Sequence, residues 1–403
     1  MRTIDLIYFN AGGGHRAAAQ ALQAMLRQQQ RPWRVRCVNL VDMLDPQGQF
    51  RRLFGMPPED IYNWQLAKGW TLGLSFELKL LQGLIRLGHG NLVHRLQRHW
   101  QQARPDMVVS LVPNFNRALG LGLAEALPGV PFVTVLTDLA DHPPHFWIEP
   151  GATQYLVCGS DMAVRQALAA GIDPGHVFRS SGMIIQPDFY RPPAVDRRAE
   201  RQRLGLDPDR PTGVVMFGGQ GSMAMLQIAR QLDDVQLLLM CGHHHALAER
   251  LRALRSRAAR AVVEFTPDVC HHLQLGDFFI GKPGPGSLSE AVQQGLPLIT
   301  LRNAWTLPQE RCNTDWVRGK GLGLVVSSWR DIRPAVRALL AQLDAFRANV
   351  RCIDNRAVFM VPEILARILD TSPPTDARAA QPGHSLTTLQ ATPSEAAREL
   401  AMR

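Results

Sequence analysis

Short apolar, β-branched runs recur along the first half of the chain, at Ile4–Phe9, Val35–Leu40, Met107–Leu111, Phe132–Leu136 and Tyr155–Cys158. Between them, stretches such as Arg16–Gln29 carry apolar residues at helical spacing. Strands alternating with amphipathic helices predict a parallel sheet covered on both faces. Residues 186–197 (QPDFYRPPAVDR) hold three prolines and predict a linker. The alternation then resumes at Val214–Phe217, Val235–Cys241, Val262–Phe265, Phe278–Ile280, Leu298–Leu301 and Leu324–Val326. The pattern thus predicts an α/β protein with two doubly wound, Rossmann-like domains, over residues 1–185 and 198–345, facing a cleft. In such sheets ligands bind outside the carboxyl ends of the strands. A last helix around Val358–Leu369, within residues 346–370, is expected to cross back to the first domain. The tail, 371–403, is rich in Ala, Pro, Ser and Thr and is expected to be disordered.

One segment departs from the alternation. An excursion over residues 50–104 holds Phe54, Trp64, Trp70, Phe76 and Trp100, with eight Lys/Arg against three Asp/Glu between Arg51 and Arg104. Aromatic and aliphatic residues beside cations suit a helix lying in a lipid interface. An amphipathic excursion packed on its own domain would look the same. The net charge of +9 over 403 residues favours phosphate-rich partners without choosing among them. The six cysteines lack a C-x-x-C or framework spacing, which points to a reducing compartment. No signal-like segment opens the chain, and no run nears the roughly 20 apolar residues of a membrane span. A cytoplasmic protein, peripheral at the inner face of the cell membrane, is the expectation.

Three glycine loops each follow a strand and precede a helix: Asn10-Ala11-Gly12-Gly13-Gly14-His15, Gly218-Gly219-Gln220-Gly221-Ser222, and Gly281-Lys282-Pro283-Gly284-Pro285-Gly286-Ser287. Glycine lets the backbone approach a ligand, and free N–H groups at a helix start attract anions. Tight turns need glycine for geometry alone, but three loops at equivalent positions point to phosphate. G-x-G-x-x-G is absent at the first loop and no P-loop signature occurs, which weakens dinucleotide and ATP readings. Glu290, one turn after Ser287, could accept ribose hydroxyls or complete an S-x-x-E capping box. Gln309, Glu310 and Asn313 could grip sugar hydroxyls or belong to a solvated helix start. His15 at a helix N-terminus is expected to stay neutral and act as a base, or else only to contact an anion. Asp138, at the end of strand Phe132–Leu136, could orient His15, serve as the base, or cap a helix. His142, His145 and Trp147 are expected near Asp138. His243–His245 and His271–His272 lack metal-ligand spacing, and no metal is expected.

In this order and spacing, GGGHRAAAQAL, VLTDL, GGQGS, EFTPDV, GKPGPGSLSEA and PQERCN resemble the monogalactosyldiacylglycerol synthase and processive diacylglycerol glucosyltransferase group. More distantly they resemble the N-acetylglucosaminyltransferase of peptidoglycan synthesis. These are glycosyltransferase family 28 members with the glycosyltransferase-B fold. The resemblance spans roughly residues 4 to 369. It implies inverting, metal-independent hexose transfer from a UDP-sugar to a membrane lipid, with diacylglycerol the expected acceptor. It implies donor contacts from Gly14, Gly219, Gly221, Ser222, Phe265, Lys282, Gly284, Gly286, Ser287, Glu290, Gln309, Glu310 and Asn313. His15 and Asp138 fall on its catalytic positions. Gly13, Pro113, Asn114, His142 and Trp147 fall on the acceptor side. The segment matching Phe50–Trp100 is associated there with membrane contact, and an anionic membrane surface, not nucleic acid, is the expected partner. One departure stands out: in Ser110-Leu111-Val112-Pro113-Asn114-Phe115-Asn116, Val112 replaces the family's histidine, so that either Asn114 and Asn116 supply substitute polar contacts or the acceptor is not diacylglycerol. A UDP-sugar 2-epimerase of the same fold, or a non-catalytic UDP-sugar or lipid-surface binding protein, are the alternatives.

Overall fold

The computed structural model describes residues 1–10, 13–45, 87–192 and 196–372, with residues 47, 48, 52, 82, 83 and 85. Most of the proposed membrane-facing excursion, residues 53–81, and the tail from residue 373 lie outside the described residues, as do residues 193–195 of the linker.

The strands read from the pattern all form, with small shifts at their ends. The first sheet contains β1 (Arg2–Tyr8), β2 (Trp33–Asn39), β3 (Met107–Ser110), β4 (Phe132–Val135), β5 (Tyr155–Cys158) and β6 (Val177–Arg179). β6 was not anticipated, because three part-exposed residues at a sheet edge leave no legible pattern. The second sheet contains β7 (Thr212–Met216), β8 (Gln236–Met240), β9 (Arg260–Val263), β10 (Phe278–Gly281), β11 (Leu298–Leu301) and β12 (Gly323–Val326). The strand orders are β2-β1-β3-β4-β5-β6 and β12-β11-β10-β7-β8-β9, and every pairing is parallel. In each sheet the first strand in sequence, β1 or β7, sits where the strand order reverses. That reversal opens a crevice at the carboxyl end of the sheet. The first and second glycine loops leave from these two strands.

Four helices flank the cleft or tie the domains together: α1 (Gly14–Gln28), α2 (Pro285–Gln293), α3 (Pro308–Gly319) and α4 (Ala357–Asp370). α4 follows the second domain in sequence but packs on the first. Its stripe of Val361, Ile364, Leu365, Ile368 and Leu369 joins Ile4, Leu6, Leu22 and Val109 in one core. The two chain crossings run side by side. Asn355 Nδ2 donates to the Met183 carbonyl (2.9 Å) and the Arg356 N–H donates to Ser181 Oγ (2.7 Å).

A buried carboxylate anchors the second domain. Asp277 accepts from Arg201 (2.6 Å), Arg197 (2.9 Å), Arg347 (2.6 Å) and the Thr212 N–H (2.8 Å). Burial alone would push its pKa up, but the Thr212 N–H and the arginines together hold it below the ordinary carboxylate value.

Candidate active site

The carboxyl edges of the two sheets meet across a cleft of about 340 Å³. Gly13, Gly14, His15 and Asp138 line it from the first domain. Gly219, Phe265, Lys282, Gly284, Gly286, Ser287, Glu290, Gln309 and Glu310 line it from the second. Between them runs the crossing segment Met183–Gln186, part of which the sequence reading assigned to the linker.

On the first side, Gly13 caps α1 at φ 79°, a left-handed conformation open to glycine. The turn delivers His15 into the cleft, where its Nδ1 shares a 3.0 Å hydrogen bond with the Thr137 hydroxyl. Burial lowers the His15 pKa to about 4, offset in part by a hydrogen bond to the Leu111 backbone. Desolvation in the cleft therefore disfavours the charged ring. Asp138 does not hydrogen-bond to His15. Its Oδ2 accepts from Trp147 Nε1 at 3.0 Å, and no helix starts at it. Burial raises the Asp138 pKa to about 7; the Trp147 bond opposes this, Glu310 and Asp141 add to it, and Lys282 opposes it. Trp147 lies between the two groups, its ring centroid 5.9 Å from that of His15.

Trp147 is fully buried behind His15 and Asp138 and has no face to offer an acceptor. Asp141 fixes its loop by accepting from the backbone N–H groups of His145 (3.0 Å) and Trp147 (2.6 Å). His142 and Pro113 do not line the cleft. Asn114, at φ 65°, lines a separate surface pocket with Arg117, His145 and Glu149, and its Oδ1 accepts from Gln82 Nε2 (3.0 Å). Asn116 is no substitute acceptor contact. It is buried, bonded to Ser110 Oγ (2.6 Å) and donating to the Trp147 carbonyl (3.0 Å). Val112 is buried in the core beneath.

On the second side, α2 begins at Pro285 with Gly284 as its uncapped N-cap. Ser287 and Glu290 are therefore inside the helix, and the S-x-x-E capping box does not form. A Cβ at Gly286 would meet nothing within 4 Å, and Gly284, Gly286 and Ser287 of this turn line the cleft. Lys282 Nζ, beside them, donates to Glu310 Oε1 at 3.3 Å. Burial raises the Glu290 pKa to about 7. Gln309 presents a buried side-chain oxygen with no partner. Asn313, expected to hold sugar, is fully buried and donates to the Pro283 carbonyl (2.7 Å). It holds the third glycine loop in shape from below. Gly221 and Ser222 line an adjoining compartment, which shares Gly219, Lys282 and Glu310 with the main cleft.

The remaining histidines have other occupations. His243 stacks on Phe265 at 3.9 Å, and His244 Nδ1 caps the next helix by accepting from the Leu247 N–H (3.2 Å). His245 pairs with Glu264, and His271 with Glu200 (3.2 Å). Among the described residues no group of three or more potential metal ligands occurs. Two contributors escaped the sequence reading. Thr137 was legible as a strand-end neighbour of Asp138. Trp305, in the adjoining compartment, lay in a loop with no motif.

Residues 15–180 match the family model described as monogalactosyldiacylglycerol (MGDG) synthase. A probable chloroplastic monogalactosyldiacylglycerol synthase 2 of Oryza sativa subsp. japonica is 28% identical over 353 residues, covering 83% of this chain and 72% of the relative. Among solved structures, MurG of Acinetobacter baumannii aligns with a TM-score of 0.57 at 14% identity, over 91% of this chain and all of that one. A UDP-GlcNAc 2-epimerase from Neisseria meningitidis bound to UDP-GlcNAc aligns with a TM-score of 0.56 at 13% identity, over 91% and 100%. The resemblance read from the motifs holds, and the two parallel sheets form the glycosyltransferase-B fold. Among the described residues no helix is long and apolar enough to cross a membrane.

Proposed function

We propose that this sugar-transferring enzyme of the glycosyltransferase-B fold moves a hexose from a UDP-sugar to a hydroxyl of a membrane lipid, with diacylglycerol as acceptor. The observation that carries the donor reading is the open, uncapped start of α2, beside Lys282 and facing His15 and Asp138. Backbone N–H groups and an ammonium there suit a diphosphate, and they stabilise it again as it leaves. That role needs no metal. The base lies toward Phe265, the ribose hydroxyls donate to Glu290, and the hexose reaches Gln309, whose unpartnered oxygen accepts a sugar hydroxyl. The acceptor assignment rests on the synthase relatives and on the aromatic, basic composition of residues 50–104, which also suggests attachment to an anionic membrane face.

The acceptor oxygen attacks the anomeric carbon from the side opposite the diphosphate. The bond from that carbon to the phosphate oxygen breaks, the configuration inverts, and UDP departs. The acceptor proton passes to His15. A bound diphosphate favours protonation of both neighbours, because anionic charge raises the pKa of each. His15 rises from about 4 toward the working range, and Asp138, already near 7, becomes a neutral hydrogen-bonding partner. His15 is therefore the base, and Asp138 positions the acceptor or the hexose.

The test is incubation of the protein with membrane lipids and a panel of radiolabelled UDP-sugars, followed by separation of the lipid products. One UDP-hexose should give a labelled glycolipid, and purified diacylglycerol should replace the lipid extract. No labelled lipid from any donor would sink the transfer reading. A changed sugar on UDP in the absence of lipid would replace it with the epimerase.

A further inference from the structure

The compartment adjoining the main cleft, about 190 Å³, opens between the loops that follow β7 and β11. Three aromatic residues, Phe217, Trp305 and Trp329, line part of its wall. Phe217 and Trp329 meet edge to face at 5.4 Å and are buried, while Trp305 stands 48% exposed. The turn that carries Trp305 is closed by its own hydrogen bonds: the Trp305 backbone N–H donates to Asn303 Oδ1 (2.9 Å), the Asn303 N–H donates to Thr306 Oγ1 (3.0 Å), and Asn303 Nδ2 donates to the Ser327 carbonyl (3.3 Å). At the mouth stands the Glu310 carboxylate, one oxygen paired with Lys282.

Aromatic faces alone suit any apolar group. Aromatic faces beside a carboxylate suit a carbohydrate, whose C–H face packs on the ring while its hydroxyls donate to the carboxylate oxygens. Resting on the UDP-hexose reading above, the geometry continues outward. With the diphosphate at the start of α2, the anomeric carbon lies next to it. The opposite edge of the ring, C4 and its C6 arm, then points past Gln309 and Glu310. We propose that this compartment receives the C4–C6 edge of the donor hexose, and that Trp305 is a specificity-determining residue.

The experiment measures binding of UDP, UDP-glucose, UDP-galactose and UDP-xylose, which lacks the C6 arm, by calorimetry without acceptor. The native protein should bind at least one UDP-hexose about tenfold more tightly than UDP-xylose. Trp305→Ala should erase that difference and leave UDP affinity within about twofold. Trp305→Phe should restore most of it. A difference that persists in Trp305→Ala, or that is missing in the native protein while UDP still binds, overturns the inference and leaves the nucleotide reading standing. Failure to bind UDP at all overturns that reading, and the inference with it.

Discussion

His15 and Asp138 are both pushed toward their neutral forms by burial, in opposite directions of pKa. Burial strips the proton from a histidine and keeps it on a carboxyl group, because each loses its charged form. Two predictions belong to this scale. His15→Ala should lower kcat by about 10²–10⁴-fold, the usual contribution of a positioned base, with the donor KM little changed. Asp138→Asn, which keeps the acceptor oxygen for Trp147, should retain far more activity, and steady-state kinetics of the pair decides between them. An Asp138→Asn variant as inactive as His15→Ala would make the carboxylate the base. The same asparagine also reports on stability. The folded pKa of Asp138 lies above its ordinary value of 3.8, so its favourable state is complete below that value and is lost as pH rises to about 7. Asparagine does not titrate. The Tm of Asp138→Asn relative to the native protein should therefore climb between about pH 4 and 7 and level off above.

The elements that build the donor side are loops locked from beneath. The second and third glycine loops depend on neighbours without direct ligand contact. The turn after β8 packs so closely under Gly219 that a Cβ on Gly242, at φ 57°, would sit 2.1 Å from the Gly219 carbonyl oxygen. Gly242→Ala should therefore displace the second loop and weaken UDP binding by about tenfold or more, roughly 1.4 kcal/mol, measured by calorimetry. Unchanged affinity would mean that the loop takes no part in holding the nucleotide. Asn313 does the same service for the third loop through the Pro283 carbonyl. Its place in a motif signalled importance, but the polar side chain points into the protein, not the cleft.

At the scale of the molecule, the two domains are tied by the paired crossings and by α4. The first domain borrows an apolar stripe from the far end of the described chain, so its core is incomplete without it. Leu365→Ala, at a fully buried position of that stripe, should cost about 2–5 kcal/mol and lower Tm, with first-domain probes melting no later than second-domain ones. Asp277→Ala should cost about 3–5 kcal/mol by leaving three arginines facing a vacated site in the second domain. Domain-resolved hydrogen exchange separates the two effects.

Local pattern was enough for the strands, the two parallel sheets and the glycine loops. Those properties follow from hydrophobic period and from residues, glycine above all, whose backbone preferences act over a few positions. The resemblance carried by the motifs held for the same reason: GGGHRAAAQAL and GKPGPGSLSEA encode turns that form locally. Side-chain direction and burial were decided only by tertiary structure. Asn116, Asn313 and Trp147 look like site residues in one dimension, yet packing turns each of them inward. The partners of His15 and Asp138 are Thr137 and Trp147 rather than each other, because strand ends and the Asp141-clamped loop converge there. Trp305 gains a role only because two distant loops meet beside it. A sequence specifies which chemistry is present and roughly where the chain turns. Which groups share a cleft, and at what proton affinity, depends on contacts and desolvation between residues far apart in the chain.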